Sequence, residues 1–221
     1  MLIYIRKVKL DNQGDFWHKL TLALKCFIVP NSAELEIERR LVEAAKKDPD
    51  KFIDLYEKYY DQIYRYVYRR VGGDTDVAYD IVSQTFMNAL SHLPSFTWQG
   101  YPFSSWLYKI AHNNVIKWYR KADKRHYIPI EEARGVSDKQ RDQKELADAT
   151  IAKEHINAMM EKLKEDEREI LRLKFFEGLS NIEIAEIMNL SVSNIGVKVF
   201  RTLKKAKGYL PTKHDLKKLD E

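Results

Sequence analysis

The sequence predicts an all-α protein: two small helical domains joined by a flexible linker, the second a helix-turn-helix domain. Three observations predict it. Apolar residues recur at three- and four-residue spacing through most of the 221 residues, the period of helices that bury one face. Glycine and proline are scarce, 8 and 6, which leaves few of the tight turns a sandwich or barrel needs. The period fails in one internal stretch, 128–150, where Pro129, Gly135 and a dense mix of both charge signs read as a linker.

Each element follows from its residues. Residues 1–33 read as an N-terminal extension, poorly packed or translated from upstream of the functional start, in preference to the alternative of a docking helix for a partner. Their apolar stretch, 20–29, is broken by Lys25 and is far short of the ~20 residues a membrane span requires. Leu35, Leu41, Val42 and Ala45 share the face of a first helix, which Asp48-Pro49 ends. Phe52, Leu55, Tyr56, Tyr59, Ile63, Tyr66, Val67 and Val71 form a buried stripe, broken by Gly72-Gly73-Asp74. Ala78, Ile81, Val82, Phe86 and Leu90 begin another, stopped at Pro94. An aromatic loop over 95–102 leads into a helix containing Trp106, Leu107, Ile110, Ala111, Val115 and Trp118. After the linker the period returns with Ile151, Ile156, Met159, Met160 and Leu163, and runs through Ile170, Leu171, Leu173 and Phe175 to a terminator at Gly178. Ser180-x-x-Glu183 is a capping box for a short helix with Ile184, Ala185 and Ile187. Asn189-Leu190-Ser191 is a turn, and a last amphipathic helix runs over 192–207. The domains are expected at 34–126 and 151–210, with the linker at 127–150 and a tail at 211–221.

Composition removes several function classes. One cysteine, Cys26, excludes an intrachain disulfide and any thiolate metal cluster, and it fits a reducing, cytoplasmic setting. The six histidines have no ligand spacing, so no metal and no cofactor are expected. No phosphate-cradling glycine loop, carboxylate cluster or nucleophile-base pair is visible, so no enzyme is expected. The net charge of +5 is mild, but the cations cluster. Lys117, Arg120, Lys121, Lys124 and Arg125 face one acid, Asp123, while Lys198, Arg201, Lys204, Lys205 and Lys207 run with none among them.

Those clusters point to nucleic acid in two forms. On the last helix Ile195, Val199 and Leu203 recur every four residues. The complementary face then carries Asn194, Lys198, Arg201 and Lys205, a ridge suited to a major groove, with Ser191, Ser193 and Asn194 at the positively polarised helix start. An ordinary solvated Lys/Arg face is the competing reading. Upstream, Phe96, Trp98, Tyr101, Phe103, Trp106 and Tyr108 run straight into the basic helix. Aromatic faces with interleaved cations suit unstacked bases on a single strand. Trp106 is the better core residue of the group, and Trp98 and Tyr101, beside Gly100, the better base contacts. Asp80, Ser83, Gln84 and Met87 lie on one side of their helix, opposite Ile81, Val82 and Phe86.

Phe103-Ser-Ser-Trp106-Leu-Tyr-Lys-Ile-Ala-His-Asn113 resembles the F-x-x-W-L-x-x-I-A-x-N signature of bacterial extracytoplasmic-function sigma factors, the group-four members of the RNA polymerase sigma-70 family. The helix from Asp80 to Phe86 resembles their D-[LI]-V-Q-E-x-F segment. Residues 163–170, with Phe175-x-Glu177-Gly178-Leu179-Ser180-x-x-Glu183-Ile184-Ala185, resemble their second domain. The resemblance covers roughly 35–210. It implies a sigma factor that binds core RNA polymerase, recognises minus-thirty-five and minus-ten promoter elements and promotes melting. Asp80, Ile81, Ser83, Gln84 and Phe86 would meet the beta-prime clamp helices. Trp98, Asn113, Asn114, Lys117, Trp118, Arg120 and Lys121 would hold the minus-ten element. Ser193, Asn194, Lys198, Arg201 and Lys205 would hold the minus-thirty-five element, with the beta flap beside that domain. An anti-sigma factor is a further implied partner, and the linker permits the rearrangement its grip would need.

Several positions depart from the family pattern. Ser83-Gln84 replaces Gln-Glu, His112 an Arg, Lys117 an Asp, Lys164 a Pro and Gly196 a Lys or Arg. The alternative reading is a stand-alone helix-turn-helix regulator with a helical sensor domain. The aromatic-basic segment counts against it, because a ligand sensor has no need to grip unstacked bases.

Overall fold

The computed structural model describes residues 32–122 and 155–209. In chain order the helices are α1 (Ser32–Lys47), α2 (Phe52–Arg70), α3 (Thr75–His92), α4 (Phe103–Ala122), α5 (155–161), α6 (Glu165–Leu171), α7 (Asn181–Met188) and α8 (Val192–Lys207). No strand occurs among the described residues, which agrees with the all-α expectation. The linker, the tail and the extension up to residue 31 lie outside the described residues.

Among the described residues two compact units result, one drawn from 32–122 with 182–191, the other from 155–181 with 192–209. The first unit packs α1 to α4 around Leu55, Ile63, Tyr66, Phe103, Leu107 and Tyr108, all fully buried. Each large apolar side chain removed from water contributes about 1.5–3 kcal/mol to the unit's cohesion. α1 ends where the Asp48 carboxylate accepts from the Asp50 N–H at 3.1 Å and Pro49 opens a 3-10 turn. Its buried residues are Glu38, Val42 and Ala45, while Leu35 and Leu41 are half-buried. Gly72 and Gly73 take positive φ, 75° and 80°, a conformation that costs other residues strain. Asp74 then caps α3, accepting from the Val77 N–H at 3.1 Å.

The α2 stripe is as expected except at Tyr56, which is 36% exposed. Tyr56 heads an outer row with Tyr60, Tyr64 and Tyr68. The four are spaced one turn apart, with ring centroids 5.1, 6.1 and 5.8 Å from one to the next. Tyr59, one residue off that row, is buried; burial, and then the Glu38 carboxylate beside it, push its phenol far above the usual value.

The second unit is built on Met160, Leu163, Ile170, Leu173, Ile195 and Ala206. Lys164 precedes α6, and its backbone N–H donates to the Glu167 carboxylate at 2.8 Å, so the departure from Pro leaves the helix start capped. α6 continues into a π-turn, Arg172–Phe176, closed by the Glu177 N–H to the Arg172 carbonyl at 3.1 Å. Gly178, at φ 75°, ends it where the sequence predicts.

The expected domain boundary and the compact units differ at α7. All of α7 after Asn181 groups with the first unit, where the Ser105 hydroxyl donates to the buried Glu183 carboxylate at 2.7 Å and Lys109 pairs with Glu186 at 3.2 Å. Asn189 follows at φ 54°, and the Leu190 N–H returns to the Ala185 carbonyl at 3.0 Å, so the turn expected there is present.

Candidate nucleic-acid interface

The start of α4 is fixed from α1. The Glu38 carboxylate is buried, accepts from the Phe103 N–H and lies 3.5 Å from the Lys58 ammonium. A carboxylate at a helix N-terminus is favoured by the unpaired amides and the axial dipole. From this anchor the preceding loop is held by rings. Phe96 sits 5.4 Å from Phe103 and 4.7 Å from Trp106, and Trp98 meets the edge of Phe96 at 6.4 Å. Gly100 turns the loop at φ 82°, and a Cβ there would meet open space, so conformation rather than room selects glycine. Phe103 is fully buried, and Trp106 is half-buried in this cluster.

The loop and α4 form the walls of an open cleft of about 560 Å³. Thr97, Gln99 and Tyr101 line it from the loop, Trp106, Asn113 and Lys117 from α4, and Glu186 from α7. Polar loop groups, an aromatic lining and Lys117 can take a planar ring and a neighbouring phosphate.

The predicted minus-ten residues fall into three sets. Asn113, Lys117, Arg120 and Lys121 are exposed along one run of α4. Asn114 is buried, donates to the Thr85 hydroxyl at 3.2 Å and accepts from Asn88 at 3.4 Å, so it also ties α4 to α3. Trp98 and Trp118 are half-buried; Trp118 stacks edge-on with Tyr119 at 4.9 Å, and the Tyr119 hydroxyl donates to the Arg70 carbonyl. His112, the departure from Arg, is buried beside the Tyr66 hydroxyl at 3.3 Å.

On α3, Asp80, Ser83 and Gln84 are exposed, and Gln84 donates to Asn88 at 2.8 Å. Ile81 and Phe86 point into the core, with Phe86 against the rings of Phe52 and Tyr56. Their side chains pack the helix against the core. Tyr79 and Met87, 49% and 66% exposed, complete the outward stripe.

On α8, Ser193, Asn194 and Arg201 are exposed as expected. Lys198 and Lys205 instead reach back to the start of α6, pairing with Asp166 at 2.9 Å and Glu167 at 2.7 Å. The Lys198 bond holds the Asp166 carboxyl below its usual value. Partial burial opposes the same shift at Glu167, where the bonds from Lys205 and the Lys164 amide prevail. The Glu167 bond in turn raises Lys205. The residues that do face outward, and that the spacing argument missed, are Val197, Phe200 and Lys204. Thr97 and Gln99 were missed in the same way at the cleft. Exposed loop residues have no periodicity to announce them.

Among the described residues no group of His, Cys, Asp and Glu is arranged to hold a metal ion, and no helix is long and apolar enough to cross a membrane.

Residues 55–125 match Sigma-70 region 2, and residues 153–205 match Sigma-70, region 4. RNA polymerase sigma factor YlaC of Bacillus subtilis is 35% identical over 156 residues, covering 70% of this chain and 89% of the relative. ECF RNA polymerase sigma factor SigW of the same organism is 33% identical over 177 residues, covering 76% and 93%. Among solved structures, CnrH in complex with the cytosolic domain of CnrY shares the fold, with a TM-score of 0.55 at 23% identity over 77% of this chain and 95% of that one. Two sigma-70 regions in this order, with relatives matched over most of their length, decide the matter: the chain belongs to the ECF RNA polymerase sigma factors of the sigma-70 family.

Proposed function

We propose that this chain binds core RNA polymerase, directs it to promoters carrying particular minus-thirty-five and minus-ten elements, and promotes their melting to start transcription. It acts as a non-catalytic subunit. The observation that carries the reading is the cleft between the aromatic loop and α4, with Asn113 and Lys117 on its wall and Arg120 and Lys121 continuing the exposed run. A ring-sized recess beside a cationic track suits a base turned out of its stack and the backbone that follows it.

The other surfaces fit the same role. Asp80, Ser83 and Gln84, with Tyr79 and Met87, form an exposed stripe on α3 for the polymerase clamp helices. α8 supplies the duplex reader. In this reading the functional domains run over 34–126 and 151–210, with 127–150 as the tether. An anti-sigma factor is a further proposed partner, in keeping with a fold shared with CnrH, which was solved with the cytosolic domain of CnrY.

The test is reconstitution of the full chain with core RNA polymerase on a genomic template library, followed by sequencing of run-off transcripts. New start sites sharing two upstream elements are expected. If the chain neither co-purifies with core enzyme nor yields new transcripts, the reading fails.

A further inference from the structure

Polar side chains collect where α4 meets its two neighbours, on both sides of a residue that lines the cleft. From α3, the Gln84 amide donates to the Asn88 Oδ1 at 2.8 Å, and Asn88 donates to the Asn114 Oδ1 at 3.4 Å. Asn114 donates in turn to the Thr85 hydroxyl at 3.2 Å, and that hydroxyl donates to the Ile81 carbonyl at 2.7 Å. The relay runs in one sense, each link passing a hydrogen to the next. Gln84 stands where the family pattern has Glu, and a carboxylate could not open the relay, having no hydrogen to give Asn88. On the α2 side, the His112 Nδ1 lies 3.3 Å from the hydroxyl of the fully buried Tyr66. At about 100° per residue, His112 and Asn114 stand on opposite flanks of α4, and the exposed Asn113 points outward midway between them.

We infer that Asn114, with Asn88 and Thr85, is a positioning residue: the relay from α3 sets the rotation of α4 that turns Asn113 and Lys117 into the cleft. This rests on the proposed function, and it moves Asn114 from the DNA contacts implied by the resemblance to the residues that aim them. Asn114 is 8% exposed, and both ends of its amide are used within the fold. The apolar contacts of α4 cannot do the same. Leu107, Ala111 and Val115 form its buried line, and burial of apolar surface has no directional preference, so it fixes how closely the helices approach better than how far α4 is turned. Hydrogen bonds weaken steeply when misaligned, so partners on two neighbouring helices leave α4 one rotation. Cohesion alone does not call for these groups, because apolar side chains of the same shape in both positions would be nearly neutral. A network with its links satisfied specifies a single arrangement instead. What it specifies here is the direction of Asn113 and, one turn on, Lys117, the two exposed α4 side chains among those lining the cleft.

The test uses the full chain with core RNA polymerase on a promoter recovered from the run-off library. Opening is read as permanganate reactivity of thymines in the melted segment, normalised to the polymerase bound. The double variant Thr85→Val with Asn114→Leu keeps the shapes and removes the bonds. It should retain the thermal midpoint and core binding of the unmodified chain while opening falls about fivefold, one hydrogen bond's preference for a single rotation. Thr85→Val alone should show the same fall, although Thr85 is fully buried in α3 and cannot touch a strand. Thr85→Ser, which keeps the hydroxyl, should open the promoter as the unmodified chain does, and the two single losses should not add. Normal opening by the double variant overturns the inference, as does a Thr85→Ser variant as impaired as Thr85→Val. If Asn114→Leu impairs opening and Thr85→Val does not, Asn114 itself meets DNA and the inference is wrong. If opening falls only in step with a lowered thermal midpoint, the relay serves stability alone and the inference is equally wrong. Absence of opening at any promoter by the unmodified chain with polymerase removes the broader function as well.

Discussion

Glu169 and Arg172 form an ion pair buried inside the second unit, 2% and 4% exposed, with 2.7 Å between carboxylate and guanidinium. The Arg172 Nε has no hydrogen-bond partner, so the guanidinium is only partly compensated and depends on Glu169. Removing one member of such a pair strands the other in a low-dielectric site. Glu169→Ala is therefore expected to cost about 3–5 kcal/mol, measured as a fall in the urea midpoint of the second unit's unfolding. Replacing both residues with apolar ones of similar volume should cost much less. Neither this pair nor Glu38 was legible as core in the sequence. An apolar period finds Ile170, Leu171 and Leu173 but assigns every charged residue to solvent, and only packing shows that Glu38 is needed inside to receive the Phe103 amide.

The element most misread by spacing is α8, and the error is one of rotation. Ile195, Val199 and Leu203, taken as the buried stripe, turn the helix toward its larger apolar residues. Thr202 and Ala206 are in fact buried while Val199 and Leu203 are only half-buried. Small residues carry a weak apolar signal yet mark where a neighbouring helix comes close. The corrected rotation moves Lys198 and Lys205 to the flank, within reach of Asp166 and Glu167, and brings Val197 and Phe200 outward. By contrast the bounds of α1 to α4 were legible, because Pro49, Gly72-Gly73 and Pro94 punctuate long amphipathic runs, although Tyr56 and Leu90 of the expected stripes are exposed. Within α8 the interior Gly196 is a weak point. Gly196→Ala should stabilise the second unit by about 0.5–1 kcal/mol, since its Cβ would make only ordinary contact, and chemical denaturation reads this directly. The α6–α8 pairs also set an acid limit. Asp166 and Glu167 titrate below their ordinary values of 3.8 and 4.5, so their contribution is full above those values and is lost as pH falls through and below them. Thermal melts at stepped pH should show the second unit weakening below about pH 4.5, with the acid limb flattened in Glu167→Gln.

For the whole molecule, these pairs set how strongly the chain can hold duplex DNA without help. With Lys198 and Lys205 committed to carboxylates, the exposed cations of α8 are Arg201, Lys204 and Lys207. Three phosphate contacts give a slope of log affinity against log salt near about −2.7, which is shallow beside regulators that bind operators unaided. Titration of the free full chain against duplex DNA reads this contribution together with that of the α4 cations, and Lys204→Ala should flatten the slope by about 0.9. Lys198→Ala should leave it nearly unchanged, because that ammonium is already neutralised by Asp166. A slope that flattens with Lys198→Ala or Lys205→Ala would mean that these lysines abandon their carboxylates for phosphate on binding. The shallow outcome carries a functional consequence. In the proposed reading, a recognition helix with three phosphate contacts holds duplex DNA weakly by itself, so residence on a promoter would have to come from the polymerase that carries the chain there.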